Sequence, residues 1–273
     1  MRVIMPLLQF HYSGEEFKFS ESYSLERFDS ARDIPENAKP GLSDIEFSYL
    51  CQQDWALVAT NPKDCFKEEL NMLLISFRIY AKSDAFIKWR FYTEGPKCSA
   101  CIDDRFRNLL VIQDFVTTEE ALDIAKNGFL EILKMYNVAD RTKSALYFIW
   151  RGLCAEKHID AYIFLVCAIE ALFSGETAEK VTKTVIERTQ KFLADINGFS
   201  GNQISKLYKI RSDMVHGRIS HTDKKNAAKR RKNLNNLKNL EELIFACMKN
   251  MIENKTYLKY ANVDEKEVYL SNL

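Results

Sequence analysis

The sequence predicts a mainly α-helical protein, with a C-terminal helical bundle behind a smaller N-terminal α+β region. Three observations carry that prediction. Nine glycines and five prolines in 273 residues are few, which favours long helices over a turn-rich sandwich. From Thr117 onward, apolar residues recur at helical spacing almost without interruption. Before Thr117, short strand-like runs alternate with one amphipathic helix. A hydrophobic fraction of 47% and an aromatic fraction of 12% fit a folded, non-repetitive chain, long enough for one large or two modest domains.

In chain order, residues 2–10 and 55–60 read as strands, and residues 29–43, with Pro35, Pro40 and Gly41, as loop. Residues 65–82 place Phe66, Leu70, Leu73, Leu74 and Phe77 on one helical face. Strand character returns over 86–92 and 109–115, separated by a Gly95-Pro96 turn. Thr117 and Glu120 form a capping box for a helix to about Tyr136, and Asp140 caps the next, to about Lys157. Residues 159–173 read as a buried helix stopping near Gly175, and residues 177–196 as an amphipathic one ending before Gly198. A helix over 202–216 ends at Gly217. The last and longest, 227–254, puts Leu237, Leu240, Ile244, Cys247 and Met251 on one face. The expected organisation is an α+β region over residues 1–116, with a sensing or regulatory role, and a bundle of four or five helices over 117–255. The tail, 256–273, has no assigned structure.

Composition excludes several classes. Seven cysteines and no secretory signal point to a reduced, cytoplasmic protein. No apolar run reaches the roughly 18 residues of a membrane span. Cys98 and Cys101 form a lone C-x-x-C with no second ligand pair, and no glycine-rich phosphate loop is present, so neither metal nor cofactor is expected. Cys154, Cys167 and Cys247 fall on apolar faces and read as core; His158 reads as a helix terminus. Phe86, Trp89, Phe91 and Tyr92 alternate with Lys88 and Arg90, a pattern that suits a half-buried strand better than a base-stacking platform.

Charge is unevenly spread. Residues 1–139 hold 16 basic and 22 acidic residues, net −6, and residues 140–273 hold 23 and 16, net +7. The C-terminal half therefore has the electrostatics of a polyanion binder. Lys224, Lys225, Lys229, Arg230, Arg231 and Lys232 lead into the longest helix, with Arg218 just upstream. Cations at a helix start oppose the macrodipole, so helix stability does not explain them, whereas phosphate binding does.

The most informative stretch is Arg211-Ser212-Asp213-Met214-Val215-His216. Ile204, Leu207, Tyr208, Met214 and Val215 form an apolar stripe, and Arg211 falls inside it. A guanidinium there is costly unless paired. Glu170 is the one charge within residues 161–173 and the best candidate partner. On a regular helix residues five apart diverge by about 140°, so Arg211 lies deep and His216 at a rim. The same residues can also serve only to fix the packing of the bundle.

The run from Leu207 to Gly217, LYKIRSDMVHG, resembles the signature of HEPN domains, particularly the Apea-like branch. The run from Val166 to Phe173, VCAIEALF, is similar to the upstream helix of that branch. The resemblance covers roughly residues 140–255. It implies a helical bundle that forms a homodimer, with Arg and His of both subunits lining one cleft. Many such domains are metal-independent ribonucleases of toxin, antiphage or RNA-processing systems. Carried over by motif, Arg211 and His216 are the catalytic pair, with Glu170 and Asp213 in support. Some family toxins have a tyrosine two residues after the histidine that a partner modifies, but Arg218 stands here. Partners implied are RNA, tRNA among the candidates, and an antitoxin or other regulatory protein. The competing class is a non-catalytic module that binds RNA or a nucleotide as an interaction scaffold.

Overall fold

A computed structural model describes residues 1–63, 66–83, 85–93, 116–155, 157–175, 181–194, 196, 199–216, 218 and 227–273, with residues 227–230 described by backbone alone. The fold is mainly helical, with an N-terminal antiparallel sheet region and a C-terminal helical bundle. It divides into two compact units, Met1–Leu130 and Glu131–Leu273.

The first unit holds β1 (Arg2–Leu8), β2 (His11–Tyr12), β3 (Phe17–Lys18), β4 (Tyr23–Arg27), α1 (Ser30–Asp33), a 3₁₀ turn at Lys39–Gly41, α2 (Asp44–Leu50), β5 (Trp55–Thr60), α3 (Phe66–Tyr80), β6 (Phe86–Ile87), β7 (Phe91–Tyr92), β8 (Val116–Thr117) and the start of α4 (Glu119–Val138). The main sheet runs β3-β4-β5-β1-β6, with β7 also on β1, and β2 and β8 form a separate parallel pair. Ile4 stands opposite Val58 on one side and Phe91 on the other. Six of the seven β1 residues are buried without alternation. That pattern marks a strand covered on both faces. Ile4, Leu8, Ala56 and Val58 face a cluster containing Ile34, Leu50 and Trp89. Neighbours on the strands point the other way. On α3, Phe77 lies 5.2 Å from Phe19, and Glu69 accepts from the Tyr23 hydroxyl at 2.9 Å. At Gly128 of α4 a Cβ would stand 2.2 Å from the Tyr80 ring, so this helix crossing requires glycine.

Several expectations shift here. Residues 29–43 include α1 and a 3₁₀ turn rather than loop alone, and α2 follows, started by a capping box of Ser43 and Glu46. The strand over 86–92 is two short strands. Trp89 and Phe91 are 1% and 0% exposed, so neither offers a face for base stacking. Thr118, not Thr117, caps α4, accepting the Ala121 N–H at 3.2 Å. Thr117 is buried and paired with Tyr12 in the β2–β8 ladder, which removes it from capping. The strand over 109–115, the Gly95-Pro96 turn and the Cys98/Cys101 pair lie outside the described residues.

The second unit holds the end of α4, α5 (Asp140–Cys154), α6 (His158–Phe173), α7 (Val181–Phe192), α8 (Gly201–Val215), α9 (Ala227–Glu253), a 3₁₀ turn (Thr256–Tyr260) and α10 (Val263–Asn272). Asp140 is the first helical residue of α5 and not its cap, because Ala139 takes the extended N-cap conformation. His158 opens α6. α6 packs against α5, α7, α8 and α9 and buries Ile159, Tyr162, Leu165, Val166, Ile169, Leu172 and Phe173. Gly152 lets α5 come close, since a Cβ there would be 2.8 Å from Leu165. The carbonyls that α6 leaves unpaired at its end find side chains instead. Tyr260 donates to Leu172 O at 2.6 Å, Arg188 to Phe173 O at 2.9 Å and Arg141 to Ser174 O at 2.7 Å. The tail therefore has structure, and its tyrosine completes the central helix.

Candidate functional site

α8 begins where Ser200 and Gln203 cap each other. The Gln203 N–H donates to the Ser200 hydroxyl at 3.3 Å, and the Ser200 N–H to the Gln203 side chain at 2.8 Å. Four residues of the expected stripe, Ile204, Leu207, Tyr208 and Met214, are buried. Val215 is not: it is 52% exposed, because the stripe turns away from the core as α8 ends. Tyr162 of α6 donates to the Leu207 carbonyl at 2.8 Å, which pins the two helices together beside the site.

Arg211 lies one turn after Tyr208 and is half-buried, its side chain 33% exposed. Its Nη2 stands 3.9 Å from Glu170 Oε2 on α6. That separation makes an ion pair without a hydrogen bond. Burial pushes the Glu170 carboxyl above its usual range, and the Arg211 guanidinium opposes the shift without cancelling it. Arg211 Nε and the Tyr208 hydroxyl are both buried and, among the described residues, have no hydrogen-bond partner. Burial first, then Glu170, then Cys247 drive the Tyr208 phenol well above 10. The Cys167 thiol is raised by burial and by Glu170, against Arg211. Cys247 is buried as expected, whereas Cys154 and Cys167 are only partly covered.

His216 is the residue after the last helical one. Its φ of −85° and ψ of 12° leave the helix, its N–H donates to Ser212 O at 3.0 Å, and its side chain is exposed. Asp213 gathers two cations. Lys209 Nζ is 3.1 Å from one carboxylate oxygen and Arg218 Nη1 is 3.2 Å from the other. The Lys209 hydrogen bond, most of all, holds this carboxyl below its usual range; burial opposes it, and Arg218 adds to the lowering. The Arg218 N–H also donates to Asp213 O at 2.8 Å, folding the chain back over the helix end.

Among the expected site residues Glu170 thus meets Arg211 and Asp213 meets Arg218, and Lys209 joins the second group. Arg231 and Lys232 are exposed in the first turns of α9. Lys229 and Arg230 lie in the same helix by backbone, and their side chains, with Lys224 and Lys225, fall outside the described residues. Tyr208 and Lys209 are not among the residues the sequence singles out for the site. Their signal is the spacing: Tyr208 is three before Arg211, and Lys209 four before Asp213.

Compared with protein-family models, with curated proteins and with solved structures, the chain gives no match. Among the described residues no helix is long and apolar enough to cross a membrane. The arrangement offers a long guanidinium with free donors, a solvent-facing imidazole, and exposed cations on the same helix end and on α9. These are the groups that bind phosphate and move protons.

Proposed function

We propose that the second unit is a metal-independent endoribonuclease that works in the cytoplasm as a homodimer. Its place in a prokaryotic defence or toxin system rests on the resemblance to HEPN domains. The observation that carries the reading is a half-buried arginine, held by a carboxylate at 3.9 Å, followed on the same helix by an exposed terminal histidine. The Glu170 carboxylate holds this guanidinium by charge at Nη2 without a hydrogen bond, which leaves its donors for a phosphate.

RNA cleavage of this kind uses the 2′-OH to attack the adjacent phosphorus. One group takes the hydroxyl proton and one protonates the leaving 5′-oxygen, and histidine can do either. The phosphorane-like transition state gathers negative charge, which the Arg211 fork stabilises. One histidine cannot serve both proton transfers at once, and a two-fold dimer supplies a second His216. The products are a 2′,3′-cyclic phosphate and a 5′-hydroxyl. Arg218, Arg231 and Lys232 supply phosphate contacts along the strand.

The test incubates wild type and His216→Ala with total RNA and tRNA in chelator and maps fragment ends. The expected result is cyclic-phosphate ends with wild type and a rate at least about 10²-fold lower with the variant, the usual contribution of a proton-transfer group. Cleavage that stops in chelator, or that survives His216→Ala, refutes the mechanism. RNA binding without turnover assigns a non-catalytic module instead.

A further inference from the structure

Two buried donors that have no partner among the described residues lie one turn apart on α8, the Tyr208 hydroxyl and Arg211 Nε. Buried polar atoms in native proteins are nearly always satisfied, so such a pair needs a reason. The Arg211 guanidinium stands beside a carboxylate with unused capacity, its Nη2 3.9 Å from Glu170 of α6, and Tyr208 lies three residues before Arg211 on the same helix. Among the described residues no hydrogen bond reaches the Glu170 carboxylate, whose one described ion pair is Arg211 at 3.9 Å. An ionised carboxylate accepts about four hydrogen bonds. The other titratable groups that bear on this space are Cys167 of α6 and Cys247 of α9. Of the charges acting on the Tyr208 phenol, Glu170 is the strongest.

We propose that Tyr208 is a positioning residue that exchanges with Arg211 at Glu170. When a phosphate of the nucleic-acid backbone takes the Arg211 guanidinium, the Tyr208 hydroxyl donates to the carboxylate left behind. This rests on the reading that Arg211 binds phosphate. The geometry supports an exchange over direct contact with ligand: the Tyr208 hydroxyl is wholly covered, whereas a third of the Arg211 side chain is open to solvent. Without Tyr208, moving Arg211 outward would strand a half-buried carboxylate with no donor, a costly state. With it, Arg211 can leave for the ligand and Glu170 stays satisfied. The orphan hydroxyl of the free protein is thus the donor that the bound state requires.

The experiment measures the Kd of the full chain for a labelled 2′-O-methyl oligoribonucleotide, which cannot be cleaved, together with the melting temperature of the free protein. Tyr208→Phe is expected to weaken binding roughly tenfold, the loss of one hydrogen bond to a charged group, without lowering the melting temperature. In a Glu170→Gln background, where no charge is left behind, the same substitution should change Kd by less than about twofold. Arg211→Ala separates the two levels of the argument. If it leaves Kd unchanged, the phosphate reading of Arg211 fails and the exchange with it. If it weakens binding while Tyr208→Phe does not, or while Tyr208→Phe acts equally in both backgrounds, only the exchange is overturned. A melting temperature lowered by Tyr208→Phe would make Tyr208 a structural residue and overturn the exchange as well.

Discussion

Two buried tyrosines of the helical unit should respond oppositely to loss of their hydroxyls. Tyr260 is 3% exposed, and its hydroxyl donates at 2.6 Å to the carbonyl of Leu172, a residue with no exposure. α6 ends at Phe173, so that carbonyl belongs to the last turn, where the helix supplies no donor. Tyr260→Phe keeps the ring and strands a buried acceptor, which costs about 1–3 kcal/mol. For a unit of this size each kcal/mol moves the melting temperature by about 3 °C, so a fall of roughly 3–9 °C is expected. Tyr208 is equally buried, but among the described residues its hydroxyl has no partner to lose. Tyr208→Phe removes a desolvated polar atom and should leave the free protein unchanged or slightly more stable. Urea unfolding of the two variants beside wild type, with thermal melts, measures both differences. Equal losses in the two variants, or no loss in Tyr260→Phe, would refute the reasoning from hydrogen-bond partners.

Three further outcomes follow from particular interactions. Glu170 has a folded-state pKa above its unfolded value, so the native state holds its proton to higher pH than the unfolded chain does. Stability should therefore fall as pH rises from about 4, the unfolded carboxyl range, through the raised folded value. Glu170→Gln should flatten that segment of the stability–pH curve, and an unchanged slope in urea melts across it would contradict the burial argument. Replacing Arg231 and Lys232 by Gln should weaken RNA binding and reduce its salt slope by about 0.7 for each phosphate that is no longer neutralised, read from Kd at several salt concentrations. Gly152→Ala gains about 1 kcal/mol of helix propensity but drives a methyl to 2.8 Å from Leu165 Cγ and 3.3 Å from the Ala161 carbonyl oxygen. Overpacking of about 1–3 kcal/mol should win, leaving a net loss of about 1 kcal/mol by urea melts.

The amino-acid sequence alone determined the long helices of this protein. Periodicity predicts a helix over 227–254 and the fold has Ala227–Glu253; it predicts one over 159–173 and the fold has His158–Phe173. Over such lengths, apolar periodicity repeats often enough to outweigh local irregularities. The strand Trp55–Thr60 was legible too, as a short apolar run that turn-forming residues bound. The pairing of Glu170 with Arg211 could be anticipated because each is the lone charge of an apolar face, and burying either alone is costly. Tertiary structure decided the rest. α1, α2 and the two-residue strands are too short to show a period, and partners across the sheet hold the strands in place. α10 and the 3₁₀ turn before it carry mixed polarity, and the Tyr260 hydroxyl finds its acceptor in a carbonyl 88 residues away. The burial of Trp89 and Phe91, the exposure of Val215 and the unpartnered hydroxyl of Tyr208 belong to the same class. Periodicity tells which face of an element is apolar. Only packing tells what covers that face and which polar atoms are left without a partner.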